Sequence, residues 1–216
     1  MTLANEKITD NIISEIVKTL ISIIEEKDEF IKGHSERVAS RCVRFWTYLG
    51  LPKERTNQIY LAGLLHDIGM VNIPLTIIHK QGELSEDEWE KIKKHPEISE
   101  KILSHLSFMK GTLPIIRHHH EAWDGSGYPD GLNGKEIPIE SRILCLVDSH
   151  DAMTFPRAYR SALNEEDAFK NLQKASGHKF DEDLVRKYLN YLQPSSESPQ
   201  ESEKSDKPVT EAKKND

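Results

Sequence analysis

The sequence predicts an all-α protein, on three observations. Apolar residues recur three and four positions apart along most of the 216 residues. Capping residues, prolines and glycines mark where those runs start and stop. No convincing pair of strands and no internal repeat is present. A chain of this length buries one sizeable core, which favours one domain with flanking segments over two. The expected division is an amphipathic helix at residues 1–27, a helical domain at 28–193 and a disordered tail at 194–216, where Ser, Glu, Lys and Pro displace apolar residues.

The elements follow in order. Ile8, Ile12, Ile16, Leu20 and Ile24 stand four apart, with Ile13, Val17 and Ile21 beside them, and form one apolar stripe. That helix is expected to pack on its own domain, with a dimer through the same helix as the lesser alternative. Residues 27–34 read as a loop. Ser35 is the expected cap of a second helix that runs to Leu49, with Val38, Cys42, Phe45 and Trp46 inward, and ends at Gly50. Pro52 opens a third helix, whose Ile59, Leu61, Ala62, Leu64 and Leu65 imply burial on most sides. Residues 68–83 read as a long connection broken by Gly69, Pro74 and Gly82. Ser85 and Glu88 have capping-box spacing for a helix reaching toward His95, which Pro96 places at a helix junction. A short helix follows through Ile98, Ile102 and Leu103, and another begins at Pro114 and ends in three histidines. Residues 123–138 hold Gly125, Gly127, Pro129, Gly131, Gly134 and Pro138, an irregular stretch of a length that is usually functional. Residues 140–153 return to helix, with Asp148 and Asp151 on one face. Asn164 and Asp181 cap the last two helices.

Composition excludes several function classes. A net charge of −7 provides no basic footprint for a nucleic-acid polymer or an anionic membrane surface. No apolar run is long enough to cross a bilayer, and the first residues lack the basic start and apolar block of a signal peptide. Cys42 and Cys145 lie in apolar-periodic segments and are expected as free buried thiols, which fits a reducing, cytoplasmic setting.

The chemistry gathers on Leu64-Leu65-His66-Asp67-Ile68-Gly69, an apolar helix end that delivers an adjacent imidazole and carboxylate. A lone His-Asp doublet is weak, since an Asp that merely orients its neighbour explains it equally well. This doublet has company: Gly33-His34 before it, then His95-Pro96, His118-His119-His120-Glu121 and Asp148. Neutral imidazoles with carboxylates and no cysteine suit iron, manganese, zinc, cobalt or nickel rather than a sulfur-rich structural zinc site.

With these blocks the chain resembles the HD-GYP family, a branch of the all-helical HD phosphohydrolases that hydrolyse cyclic di-GMP. The carriers are residues 33–39, His66-Asp67-Ile68-Gly69, His95-Pro96, His119-His120-Glu121, Trp123 to Pro129, and Arg157 to Arg160. The resemblance spans roughly residues 28–185. It implies an HD-type helical bundle with a long Gly/Pro-rich loop around Gly127-Tyr128-Pro129. It further implies that His34, His66, Asp67 and Asp148 hold one divalent metal and that His95, His119 and His120 hold a second, with Asp67 bridging. One carboxylate offers an oxygen to each of two ions, and a pair about 3.5–4 Å apart clamps a phosphodiester. Iron or manganese is the expected metal. His79, His105, His118, His150 and His178 match no ligand position and are read as ordinary hydrogen-bonded histidines, with His150 at most a partner behind a ligand. Gly127, Tyr128 and Pro129 would shape the substrate pocket and offer a surface to a protein partner. Arg157 and Arg160 would meet phosphate and guanine, for which a planar guanidinium is well matched.

Several positions depart from the family. Phe30 stands where members with a third metal carry a Glu, so two metals are expected. Met70 replaces the lysine that follows the Gly of the doublet motif, and Met neither donates a proton nor carries charge. Asp28, the acidic residue that accompanies that lysine and counts with Asp67 as catalytic, thereby loses its partner. Thr154-Phe155-Pro156 before the first arginine and Ala158 between the two are also altered. The leading reading is a phosphodiesterase that opens cyclic di-GMP to linear pGpG and onward to GMP. The alternatives are a weak or inactive relative that senses cyclic di-GMP or binds a partner, and a hydrolase of another nucleotide.

Overall fold

A computed structural model describes residues 3–156 and 161–193. Among them are ten α-helices joined by turns and short 3-10 segments, with one isolated bridge, Ser176 to Phe180, and no strand. They are α1 (Leu3–Lys27), α2 (His34–Tyr48), α3 (Thr56–Leu65), α4 (Leu75–Ile78), α5 (Glu86–Lys93), α6 (His95–Leu103), α7 (Leu113–Arg117), α8 (Ile139–Thr154), α9 (Glu165–Lys174) and α10 (Glu182–Leu192). The all-α expectation holds. No helix of the described residues is long and apolar enough to cross a membrane.

The core lies between α2, α3, α7, α8 and α10, where Phe45, Trp46, Ile59, Leu65, Ile116, Leu144 and Tyr188 are almost fully buried. Burying side chains of this size contributes roughly 1.5–3 kcal/mol each, which makes this cluster the main source of stability. The two central helices cross at Gly63, where a Cβ would lie 2.5 Å from the Ala39 Cα. This is why a glycine sits inside the otherwise apolar α3 despite its cost to helix stability. Cys42 and Cys145 are both free and buried.

Four expectations need correction. In α1 the buried residues are Val17, Ile21 and Ile24, whereas Ile8 and Ile12 are 58% and 51% exposed. Only the second half of α1 reaches the core, so the four-apart stripe turns away from it at the N-terminal end. The start of α2 is capped by Gly33 at φ +69°, not by Ser35, which is buried inside the helix. That left-handed residue lets the chain enter α2 with His34 already pointing inward. Pro52 opens a 3-10 turn, Lys53–Arg55, and α3 proper starts at Thr56. The connection after the doublet is also more regular than expected, with a 3-10 segment Ile68–Asn72 followed by α4. Lys27 holds this segment down, since its ammonium donates to the carbonyls of Met70, Val71 and Ile73 at 2.5–2.7 Å.

Other signals match the structure. Ser85 and Glu88 form the full capping box of α5, and the Asn164 and Asp181 side chains cap α9 and α10. His95 sits at the α5–α6 junction as the first residue of α6, before Pro96. The Trp123–Pro138 stretch is irregular apart from a 3-10 turn at Gly134–Glu136. Arg157, Arg160 and the expected tail at 194–216 lie outside the described residues.

Candidate metal centre

Four helix ends and the middle of a fifth helix converge on one point. His66 and Asp67 leave the C-terminus of α3, His34 opens α2, His95 opens α6, His119 and His120 follow α7, and Asp148 projects from the middle of α8. Asp67, His95, His119 and His120 present ligating atoms that all lie within 4.8 Å of one another, as do His34, His66 and Asp67. Asp67 belongs to both groups. Its Oδ1 lies 3.3 Å from His95 Nε2 and its Oδ2 lies 3.5 Å from His66 Nε2, so each oxygen faces one group. Asp148 Oδ1 joins the second group, 3.2 Å from His34 Nε2 and 3.8 Å from His66 Nε2. All seven sequence-predicted ligands are therefore brought together.

The rings are aimed by what their other nitrogens bind. Nδ1 of His66, His95 and His119 each lies 2.6–3.0 Å from the carbonyl three residues earlier, in Gly63, Ile92 and Ile116. A carbonyl only accepts, so each Nδ1 carries the proton and each Nε2 presents a lone pair. For His34 the same task falls to Asp151, whose Oδ2 is 2.8 Å from Nδ1. These nitrogens fit a cation. Nε2 of His34 and of His66 are buried without a hydrogen-bond partner. His95 Nε2 and His119 Nε2 face each other at 3.2 Å, an arrangement of two lone pairs that a shared cation relieves.

Charge divides the centre in two. Burial disfavours an imidazolium at His66, but Asp67 and Asp148 outweigh it and push the ring up to about 9. His34 is likewise raised by Asp148 and Asp151 against the cost of its burial. Both carboxylates, although buried, stay well below their ordinary range beside these rings. On the other side burial and neighbouring imidazoles hold His119 well below its usual value and His120 down to about 3. Neutral imidazole is the form that binds metal.

The supporting residues are where the sequence was least legible. Asp151 is fully buried and accepts from Arg37 Nε and a terminal nitrogen at 3.0 and 2.9 Å, with Arg41 at 3.3 Å. Its shared face with Asp148 was visible, but its contact with His34 was not. Ser99, also buried, accepts from the Gly69 N–H at 2.8 Å and donates to the His66 carbonyl at 2.7 Å, tying the doublet to α6. Glu121 ligates nothing in this arrangement. Its carboxylate takes the N–H groups of Asp130 and Leu132 and so fixes the loop that carries Tyr128. His118 bonds Asp130 and His150 bonds Tyr188 and Glu165, so neither touches a ligand, and His150 is not a partner behind one.

Gly127 shows why this loop needs its glycine, because a Cβ there would lie 2.1 Å from the Ala122 nitrogen. The close approach lets Tyr128 N donate to the His120 carbonyl at 3.2 Å and sets the Tyr128 ring 5.1 Å from that of His120. A cavity of about 500 Å³ opens over the cluster, lined by Asp67, His95, His120, Tyr128, Asp148 and Lys179 among others. That is within the usual range of small-molecule sites. Lys179, which sequence reasoning passed over, is the one lysine or arginine lining it among the described residues. Its ammonium donates to Ser149 Oγ at 3.0 Å and stands 5.2 Å from the centre of the Phe180 ring.

Asp151→Ala is expected to weaken metal binding by about 10–100-fold, the usual cost of losing the group that orients a ligating His. Metal titration of the purified variant checks this. Unchanged affinity would show that α2 alone aims His34.

Residues 18–184 match the family described as HD domain. The chain is 36% identical over 179 residues to 3'3'-cGAMP-specific phosphodiesterase 2 of Vibrio cholerae, which covers 82% of this chain and 34% of that protein. It is 35% identical over 182 residues to a cyclic di-GMP phosphodiesterase of Thermotoga maritima, covering 83% and 50% respectively. The chain thus spans a third to a half of the length of these curated relatives. A crystal structure of a cyclic GMP-AMP-specific phosphodiesterase from Vibrio cholerae shares the fold, with a TM-score of 0.65 at 20% identity over 83% of this chain and 48% of that one. The helical bundle, the His-Asp centre and these likenesses together show that the chain belongs to the HD-domain family, in its HD-GYP branch.

Proposed function

We propose that this chain is a metal-dependent phosphodiesterase that opens cyclic di-GMP to linear pGpG and onward to GMP, with iron or manganese at two positions. The observation that carries the reading is Asp67, whose two oxygens face two separate sets of imidazoles. His34, His66, Asp67 and Asp148 would hold one ion, and Asp67, His95, His119 and His120 the other. Ions so held polarise a phosphodiester and make water a stronger nucleophile. The named activities of the two relatives, one on 3'3'-cGAMP and one on cyclic di-GMP, support a cyclic dinucleotide as the substrate class.

The chain's own residues bind and orient. Tyr128, set by Gly127 and Pro129, walls the cavity beside His120, and burial keeps its phenol protonated. Lys179 is the one lysine or arginine lining the cavity among the described residues, and it would meet a phosphate of the substrate. Arg157 and Arg160 would add to this from the segment after α8. We also place the protein in the cytoplasm, where Cys42 and Cys145 stay reduced, and assign the exposed Ile8 and Ile12 to contact with a second copy. The loop around Gly127-Tyr128-Pro129 would face any protein partner.

Lys179→Ala is expected to raise KM for cyclic di-GMP by about tenfold or more, the cost of one charged hydrogen bond, while Lys179→Arg largely preserves it. Steady-state kinetics over a salt series checks this, because losing a phosphate contact also flattens the salt dependence. A change in kcat alone would contradict it.

Met70 favours a second reading, a sensor that binds the dinucleotide without turning it over. It lines the cavity over the cluster and offers neither proton nor charge. Loss of one general acid typically forfeits about 10²–10⁴-fold, so slow turnover is expected from the wild type. Met70→Lys should then raise kcat. A protein silent with iron and with manganese, and still silent as Met70→Lys while binding the nucleotide, would leave only the sensor.

A further inference from the structure

A second cavity, of about 320 Å³, lies beside the one over the metal centre. The two share Asp67, Met70, Trp89 and Ile92, so they meet at the bridging carboxylate. A ligand whose phosphate sits at Asp67 therefore has room to place another part of itself in the second space. The flanks of that space are aromatic and exposed: Phe30 is 43% and Trp89 44% accessible. Its floor is polar. Asp28 is 6% exposed, and its Oδ1 accepts the Phe30 N–H at 3.0 Å. His79 Nε2 lies 3.1 Å from the same oxygen but off the line of a hydrogen bond, and this buried nitrogen has no hydrogen-bond partner. Lys27, the neighbouring cation, is occupied with the carbonyls of Met70, Val71 and Ile73. A buried imidazole nitrogen left without a hydrogen-bond partner is costly unless a ligand completes it.

Resting on the phosphodiesterase reading of the metal centre, we propose that this cavity is the subsite for one guanine base of the dinucleotide. Guanine presents along one edge an acceptor, O6, and then two donors, N1–H and the exocyclic amine. His79 Nε2 matches the acceptor and the Asp28 carboxylate matches the adjacent donors. Phe30 and Trp89 supply apolar area for the ring. Adenine reverses the pattern, placing a lone pair at N1 against the carboxylate and an amine against the imidazole N–H. A site built to complete buried polar groups discriminates strongly against a ligand that leaves them unpaired. The subsite thus selects guanine-containing dinucleotides over cyclic di-AMP.

The test is calorimetric titration of manganese-loaded protein with cyclic di-GMP and with cyclic di-AMP, followed by product analysis of the same samples. The wild type is expected to bind cyclic di-GMP more tightly. Asp28→Asn keeps the cap on the 3-10 turn, because Asn accepts the Phe30 N–H as Asp does, yet it turns one acceptor into a donor. It should weaken cyclic di-GMP binding by about 10–100-fold and leave cyclic di-AMP little changed. His79→Leu, at a half-buried position, should weaken cyclic di-GMP in the same selective way. Equal losses for both nucleotides, or no loss, would overturn the subsite, as would a wild type that binds neither. Products without discrimination would remove the subsite and keep the phosphodiesterase reading. Selective binding without products would keep the subsite and remove that reading.

Discussion

Asp67→Ala is expected to empty both halves of the centre. The wild type should carry close to two divalent ions per chain, and the variant markedly fewer, because the one carboxylate lies within 4.8 Å of the ligating atoms of both imidazole groups. Removing it takes an anionic ligand from each ion and leaves His66 and His95 facing an empty space at the positions they now share with its oxygens. Elemental analysis after metal loading under anaerobic conditions reads the result directly. Turnover should fall with the metal content. Retention of both ions in Asp67→Ala would mean that each group is self-sufficient and that the bridge is incidental. A wild-type count of three would show that Phe30 does not close the third position.

Gly69→Ala should be among the most damaging changes of a single methyl. A Cβ there would lie 2.1 Å from the His95 carbonyl oxygen and 2.8 Å from both the Ser99 nitrogen and its Oγ. None of these atoms can retreat cheaply, because the first two are backbone in α6 and the third bonds Gly69 N and the His66 carbonyl. Forcing the segments apart should cost at least about 2–3 kcal/mol, as overpacking does elsewhere. For a chain of this size that is about 5–10 °C in Tm. The displaced backbone belongs to His95 itself, so metal affinity should fall as well. Thermal melts with and without manganese separate the effects: a variant that melts normally and binds metal normally would show that α6 moves freely against the doublet.

This packing explains which parts of the molecule were legible in the chain. The seven ligand positions could be read because the short blocks around them match the HD-GYP pattern, and Gly69 and Gly127 within those blocks are required by approaches of 2.1 Å. The helices could be read wherever one face is apolar throughout, as in α2 and α10. Asp151 escaped because a carboxylate three positions after a ligand looks the same whether it bonds water or a buried imidazole. Only the fold brings Arg37, Arg41 and His34 to it. Ser99 escaped for a related reason, since a serine inside an amphipathic helix carries no sign of what it will bridge. The α1 stripe was misplaced because its isoleucines satisfy the helical period on more than one face, and the choice of Val17, Ile21 and Ile24 is made by the core they meet. The start of α2 was misjudged because Ser35 is a good cap by type, whereas the left-handed turn that admits His34 belongs to Gly33.

The same comparison bears on Met70 and Asp28. Asp28 does not stand alone in the absence of a lysine, because His79, which no motif singled out, lies 3.1 Å from it in a cavity that reaches Asp67. Lys179 likewise stands over the cluster on the turn after α9, with its own carbonyl accepting from Trp123 N at 3.1 Å at the root of the Gly-rich loop. Positive charge and proton-bearing groups thus reach the cavity walls from parts of the chain far from the doublet.

The central claim, a two-ion centre that cleaves a cyclic dinucleotide, is tested most directly by chromatographic analysis of cyclic di-GMP incubated with anaerobically purified protein loaded with iron or manganese. Linear pGpG that accumulates with the wild type, and not with Asp67→Ala at equal protein concentration, is the predicted result. Intact cyclic di-GMP after prolonged incubation with protein shown to carry two ions per chain would contradict it.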